Sequence, residues 1–174
     1  MKRIMAALSL GLVASMAAAT DITVEVEGKT VTVQAATMNR VIMGNDIGAG
    51  DQKTPLGCSL LYYALLAKGE IAEASTLSTD PKATAERWEQ YKQRLGGEEF
   101  KKEMAAYFTS KNTVLAELTL GEFSMLVVKT PDVTGGQIYV KQDGKWLLDE
   151  TRKTEPRKAF GKILSRVQNG EITF

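Results

Sequence analysis

The chain has 174 residues, 44% of them hydrophobic, with 22 basic against 21 acidic side chains and not one histidine. The near-zero balance offers no basic field for nucleic acid. The missing histidine excludes Ser-His-Asp and Cys-His triads, two-His metal motifs and the usual general base near neutral pH. No metal and no cofactor is expected, and any chemistry would rest on carboxylates, Tyr, Lys or Ser.

The first residues read as an export leader. Lys2 and Arg3 form a basic start, Ile4 to Ala14 an apolar run, and Ala17-Ala18-Ala19 a small-residue cleavage site. The apolar run is too short for a membrane span, and no later stretch approaches the roughly 18 apolar residues that a span needs. Removing Lys2 and Arg3 leaves 20 basic against 21 acidic side chains. The expectation is a periplasmic or secreted protein with residues 1–19 as signal peptide and no integral membrane segment afterwards. A single cysteine, Cys58, permits no internal disulfide, and beside Leu56, Leu60 and Leu61 it reads as a small buried apolar residue.

Ile22-Thr-Val-Glu-Val26 and Thr30-Val-Thr-Val33 alternate around Glu27-Gly28-Lys29, which predicts a hairpin with one apolar face. A short alternating or helical segment, Met38 to Met43, follows. Gly44 to Pro55 is dense in breakers. Its Asp46 and Asp51 lack the spacing and closing Glu of a calcium loop, and no phosphate-binding Lys-Ser/Thr follows its glycines, so it reads as a surface loop.

Pro55 opens a helix that is apolar nearly all round, through Leu60, Leu61, Tyr62, Tyr63, Leu65 and Leu66, and Gly69 ends it. A short helix from Glu70 to about Leu77 comes next. Asp80-Pro81 supplies an N-cap and a first-turn proline for a helix over Lys82 to Leu95, with Trp88, Tyr91 and Leu95 at helical spacing. After Gly96-Gly97, Glu98 to Phe108 stripes Phe100, Met104, Tyr107 and Phe108 on one side.

Thr113 to Asp149 reads as an antiparallel meander closed by Asp143-Gly144, a strong hairpin signal. Along its first strand Val114, Ala116, Leu118 and Leu120 share one face by alternation, and Glu117 lies on the other. The second strand, Phe123 to Lys129, is apolar on both faces, so the sheet is expected to be covered twice: by helices on one side and by a partner or the amino-terminal hairpin on the other. A homodimer across the sheet is one such arrangement. The tail from Thr154 to about Gln168 is a basic amphipathic helix, with Phe160, Ile163, Leu164 and Val167 against Arg157, Lys158, Lys162 and Arg166. It suits either an acidic surface or, the reading favoured here, packing on its own domain.

The helix–Gly–short helix segment Tyr62-Tyr-Ala-Leu-Leu-Ala-Lys-Gly-Glu-Ile-Ala-Glu-Ala74, with a meander ending in Lys141-Gln-Asp-Gly-Lys-Trp146, resembles the nuclear-transport-factor-2-like superfamily, which includes ketosteroid isomerase and the SnoaL-like cyclases. The resemblance covers about Pro55 to Glu150. It implies a cone, a bent sheet around a long helix with a pocket at the open end. The isomerase's oxyanion tyrosine precedes the glycine by seven residues, and Tyr62 holds that spacing to Gly69. The positions matching its aspartate base and second acid hold Thr79-Asp-Pro-Lys82, where Asp80 reads as a helix cap, and Ser124 to Val128, which carries no acid.

The expected fold is therefore α+β: helices on a curved, cone-shaped antiparallel sheet, with an N-terminal hairpin and loop over 20–53, the cone over 54–150 and a basic helix over 151–174. The expected role is an exported, non-catalytic binding or interaction protein. Its partner would be a protein or a small apolar ligand, with Tyr62, Trp88, Tyr91, Glu117 and Tyr139 as pocket candidates. The alternative is a small lyase or isomerase using Tyr62 with Glu117 or Asp80 as base; it requires those groups in one cavity.

Overall fold

The computed structural model describes residues 19–150 and 154–174; the expected leader, apart from residue 19, lies outside them. Six strands form one antiparallel sheet in sequential order: β1 (Thr20–Val26), β2 (Lys29–Val41), β3 (Thr113–Leu120), β4 (Phe123–Lys129), β5 (Thr134–Gln142) and β6 (Lys145–Leu148). Between β2 and β3 lie four helices, α1 (Pro55–Lys68), α2 (Ile71–Ser75), α3 (Pro81–Leu95) and α4 (Gly97–Thr109), and α5 (Glu155–Gln168) follows the sheet. The fold is α+β, with helices packed on a curved antiparallel sheet. No helix among the described residues is long and apolar enough to cross a membrane.

Local signals set most boundaries. The Thr54 hydroxyl accepts the Gly57 amide at 2.9 Å to cap α1 ahead of Pro55, and the Asp80 carboxylate accepts the Ala83 amide at 3.0 Å to cap α3 ahead of Pro81. Asp143 and Gly144 both have positive φ (50° and 76°), as do Glu27 and Gly28 (51° and 78°). Paired positive φ values are the turn geometry whose twist matches that of the flanking strands.

The sheet carries a separate apolar core on each face. On one, α1, α2 and α4 bury Leu60, Leu66, Phe100 and Phe108 against Val114, Leu126, Val128 and Tyr139. On the other, Phe160, Ala159 and Ile163 of α5 close over Val24, Val26, Val31, Val33, Ala116, Leu118, Met125 and Val127. Burying side chains of the Phe or Ile size stabilises by about 1.5–3 kcal/mol each, which holds α5 down. Gly136 makes room for it, since a Cβ there would meet Met125 Sδ at 2.5 Å and Leu164 Cδ2 at 3.2 Å. The doubly apolar strand β4 is thus covered by helices of its own chain on both sides.

Two features differ from the alternation expected in the sequence. The β3 register shifts between Val114 and Ala116, so Val114 faces the α1–α4 core while Ala116 and Leu118 face α5. One extra residue in a strand reverses the side-chain alternation beyond it. The N-terminal hairpin does not fold over the sheet either. It extends the sheet in plane, with β2 running on to Val41 through its own irregularity between Thr37 and Arg40.

Both outer edges of the sheet are occupied. At β6, Leu148 donates its amide to Leu77 O at 2.8 Å and accepts from Thr79 N at 3.0 Å, while Trp146 N donates to Gln52 O at 2.9 Å. At β1 the guard is made of side chains. Lys158 donates to the Glu27 carboxylate, Lys162 to the carbonyl of Glu25, and Arg166 to the carbonyl of Thr23 at 3.5 Å. The four-residue spacing of these cations puts them on one face of α5. Lys158 also lowers the pKa of Glu27, by its hydrogen bond and its charge.

The glycine-rich loop is packed rather than free. A Cβ on Gly50 would lie 2.2 Å from the Leu61 amide nitrogen, so the loop backbone rests directly on α1. Asp46 pairs with Arg40 at 2.7 Å, and Asp51 accepts the Lys53 amide at 2.9 Å.

Candidate functional site

An aromatic cavity opens between α1, α3 and α4. Its volume is about 360 Å³, and Tyr63, Arg87, Trp88, Tyr91, Arg94, Glu103 and Met104 line it. The helical period creates it. Trp88 and Tyr91 are three apart on α3, which places both on the side facing α4. Trp88 meets Phe100 edge-on at 6.0 Å and Tyr91 at 5.9 Å. The Tyr91 hydroxyl donates to the Glu103 carboxylate at 2.5 Å, tying α3 to α4. Trp88 donates its indole N–H to the Tyr62 hydroxyl at 2.5 Å, tying α3 to α1.

Two guanidinium groups stand at the rim over aromatic faces: Arg87 lies 5.8 Å from the Trp88 ring centre and Arg94 5.3 Å from that of Tyr91. Their situations differ. Arg87 is gripped by both oxygens of Glu150, at 2.7 and 2.9 Å, and this hydrogen bonding raises its pKa further. Arg94 has no carboxylate partner among the described residues. It is the cation left available to an incoming group.

Beneath the cavity runs a buried polar chain. The Tyr63 and Tyr107 rings stack at 3.9 Å with 11° between planes. Ser59 donates to Gln137 Oε1 at 2.7 Å and lies 2.7 Å from the Tyr107 hydroxyl. With its one proton used on Gln137, Ser59 is the acceptor for Tyr107. Tyr139 also donates to Gln137 Oε1, at 2.9 Å, and the Gln137 amide N–H reaches the Tyr63 hydroxyl at 3.4 Å. Burial drives the pKa of Tyr63, Tyr107 and Tyr139 upward, and pushes that of Tyr62 up to about 12. At neutral pH all four are neutral hydroxyls.

A second cavity of similar volume adjoins the first and shares Tyr63, Glu103 and Met104 with it. It continues past Tyr107 and Ser110 to Asn112 and to Thr130, Pro131 and Asp132 of the β4–β5 loop. Asn112 is 5% exposed and donates through Nδ2 to the Tyr107 carbonyl at 3.0 Å, while its buried Oδ1 has no partner among the described residues. A buried acceptor left unpaired costs about 1–3 kcal/mol.

Of the residues singled out in the sequence, Tyr62, Trp88 and Tyr91 come together at the aromatic cavity, Tyr62 as its buried support. Tyr139 is 1% exposed and belongs to the polar chain below. Glu117 lies apart on β3, where it accepts from Ser124 at 3.1 Å; desolvation raises its pKa. Asp80 is occupied as the α3 cap. The lining of the aromatic cavity includes neither carboxylate, and Glu103, the acid that it does include, already accepts from Tyr91. Among the described residues no group of three or more Cys, Asp and Glu side chains is placed to hold a metal ion. Sequence reasoning missed Tyr63, Arg87, Arg94 and Glu103. The signal available was the Arg-Trp-x-x-Tyr-x-x-Arg run over residues 87–94, which brackets both rings with cations.

Compared with protein-family models, with curated proteins and with solved structures, the chain matches none.

Proposed function

We propose that the chain is an exported, non-catalytic binding protein that holds a flat or apolar group in the aromatic cavity between α1, α3 and α4. One observation carries the reading: Trp88, Tyr91, Tyr63 and Met104 present an apolar concavity beside Arg94, a cation with no carboxylate partner among the described residues. Concave, mostly apolar sites with a few convergent polar groups are the usual form of a ligand site. A catalytic role would need two titrating groups with opposed pKa shifts facing one substrate. The cavity offers hydroxyls held neutral and one carboxylate already engaged.

Export rests on Lys2-Arg3, the apolar run to Ala14 and the small residues 17–19. Kinship with the nuclear-transport-factor-2-like proteins belongs to the same proposal and rests on the Tyr62 to Gly69 spacing and the meander.

The test is titration with anilinonaphthalene sulfonate, a flat aromatic anion, on a Trp146→Phe background in which Trp88 is the sole indole. Saturable dye emission with energy transfer from Trp88, lost in Tyr91→Ala and weakened in Arg94→Ala, is the expected result. Dye binding indifferent to both substitutions, or none at all, overturns the reading. Amino-terminal sequencing of the protein from a periplasmic or culture fraction should begin after residue 17 or 19.

A further inference from the structure

We propose that the natural occupant of this groove is an extended peptide segment, lying along α4 with a carboxylate at Arg94 and an apolar side chain against Trp88 and Met104. The inference rests on the binding role proposed above and adds the chemistry of the ligand. The first ground is shape. The two cavities share Tyr63, Glu103 and Met104, so together they form a trough running from the α3–α4 contact to the β4–β5 loop. From Glu103 to Ser110 the helix advances about 10 Å, the length of about three residues of extended chain. A single small ring fills only one end.

The second ground is hydrogen bonding. The Tyr63 hydroxyl accepts from Gln137, and no described group accepts its proton. The Asn112 Oδ1, buried in a residue that is 5% exposed, accepts from no group among the described residues. Both residues line the same trough: Tyr63 brings a hydroxyl proton without an acceptor, and Asn112 a buried acceptor that a turn of its amide would bring to the trough. Their complement is one carbonyl and one N–H, the pair that every peptide unit carries. A hydrocarbon satisfies neither, and an aromatic acid, which only accepts, cannot satisfy both.

The third ground is charge. Arg94 at one end has no carboxylate partner among the described residues, whereas Asp132 lies at the other, so the trough is polarised along its length. A peptide with its C-terminal carboxylate, or an acidic side chain, at the α3 end fits that polarity. The guanidinium can meet a carboxylate with two parallel N–H donors.

The experiment uses the chain with Trp88 as reporter and three probes: acetyl-Gly-Gly-Phe-Leu with a free carboxylate, the same peptide as its C-terminal amide, and phenylpropionate, which keeps ring and acid but has no amide. The peptide acid is expected to bind more tightly than phenylpropionate, and amidation or Arg94→Ala to weaken it about tenfold, the size of one charged hydrogen bond. Tyr63→Phe keeps the ring stacked on Tyr107 and removes only the hydroxyl. It is expected to weaken the peptide about fivefold and leave phenylpropionate unchanged. Asn112→Ala, checked for native circular dichroism, should do the same. If it does not fold, Tyr63→Phe decides. Phenylpropionate binding as tightly as the peptide, with Tyr63→Phe affecting neither, overturns the peptide while leaving the aromatic cavity a binding site. If neither probe nor the naphthalene dye binds, both proposals fall.

Discussion

The indole N–H of Trp88 ends on the hydroxyl of Tyr62 at 2.5 Å, across the contact between α3 and α1. Tyr62 is 2% exposed, so the bond lies on the buried side of the tryptophan while the open side of its ring faces the cavity. One side chain is thereby both fixed and presented. Tyr62→Phe leaves the ring packing intact and strips Trp88 of its acceptor. A loss of about 1–2 kcal/mol is expected, read as a lower denaturant midpoint at unchanged slope, with a shift in Trp88 emission in the Trp146→Phe background.

Alkaline pH should unfold the chain through its tyrosines. All five, Tyr62, Tyr63, Tyr91, Tyr107 and Tyr139, have pKa values raised above the ordinary 10; burial is the chief cause for four of them, and the hydrogen bond to Glu103 for Tyr91. A raised folded pKa means that the unfolded chain loses its protons first as pH rises. The stabilisation is therefore complete below pH 10 and falls as pH climbs from 10 towards 12 and beyond. Tyrosinate absorbance followed against pH should stay flat past 10 and then rise together with loss of circular dichroism. A gradual titration of five independent groups near 10 would contradict this.

Cys58 is fully buried, and desolvation pushes its thiol up to about 12. The thiolate is the reactive form, so a disulfide-exchange reagent should find no thiol in the folded chain and one per chain in denaturant. Reaction at a rate comparable to free cysteine in native buffer would show that α1 opens.

Phe160 and Ile163 are the apolar anchor of α5. Phe160→Ala is expected to cost about 3–5 kcal/mol. Because α5 covers a sheet face and guards the β1 edge at once, its loosening should also produce concentration-dependent association, visible by light scattering. Loss of stability with a strictly monomeric profile would mean that the edge is protected by something other than α5.

Much of the fold was legible because short-range chemistry decides it. Pro55, Asp80-Pro81 and Asp143-Gly144 act over three or four residues, and each stands at the element boundary or turn expected from the sequence. What was hidden depends on residues far apart. The Leu115 bulge reverses which face Leu118 occupies, and nothing in the run Thr113–Leu120 announces it, since Val114, Leu115, Ala116 and Leu118 can be buried on either face. Coverage of the second face by α5 needed knowledge of the β1 position, which only the sheet order supplies. At the site, Trp88 and Tyr91 were readable from helical spacing. Tyr63 was not, because on an all-apolar helix spacing cannot separate Tyr62, turned to support, from Tyr63, turned to the groove. Alternation alone cannot say whether Glu117 faces a pocket; on β3 it accepts a hydrogen bond from Ser124.

The two edges of the sheet are closed by means that differ in time as well as in kind. β6 is sealed by backbone from segments that precede it in the chain, so its cover is made before it is. Lys158 and Glu27 are separated by 131 residues, so β1 waits through nearly all of synthesis for its guard. That delay leaves the first hairpin with an open edge until the final helix is made and docks, the interval in which its exposed strand can pair with another chain.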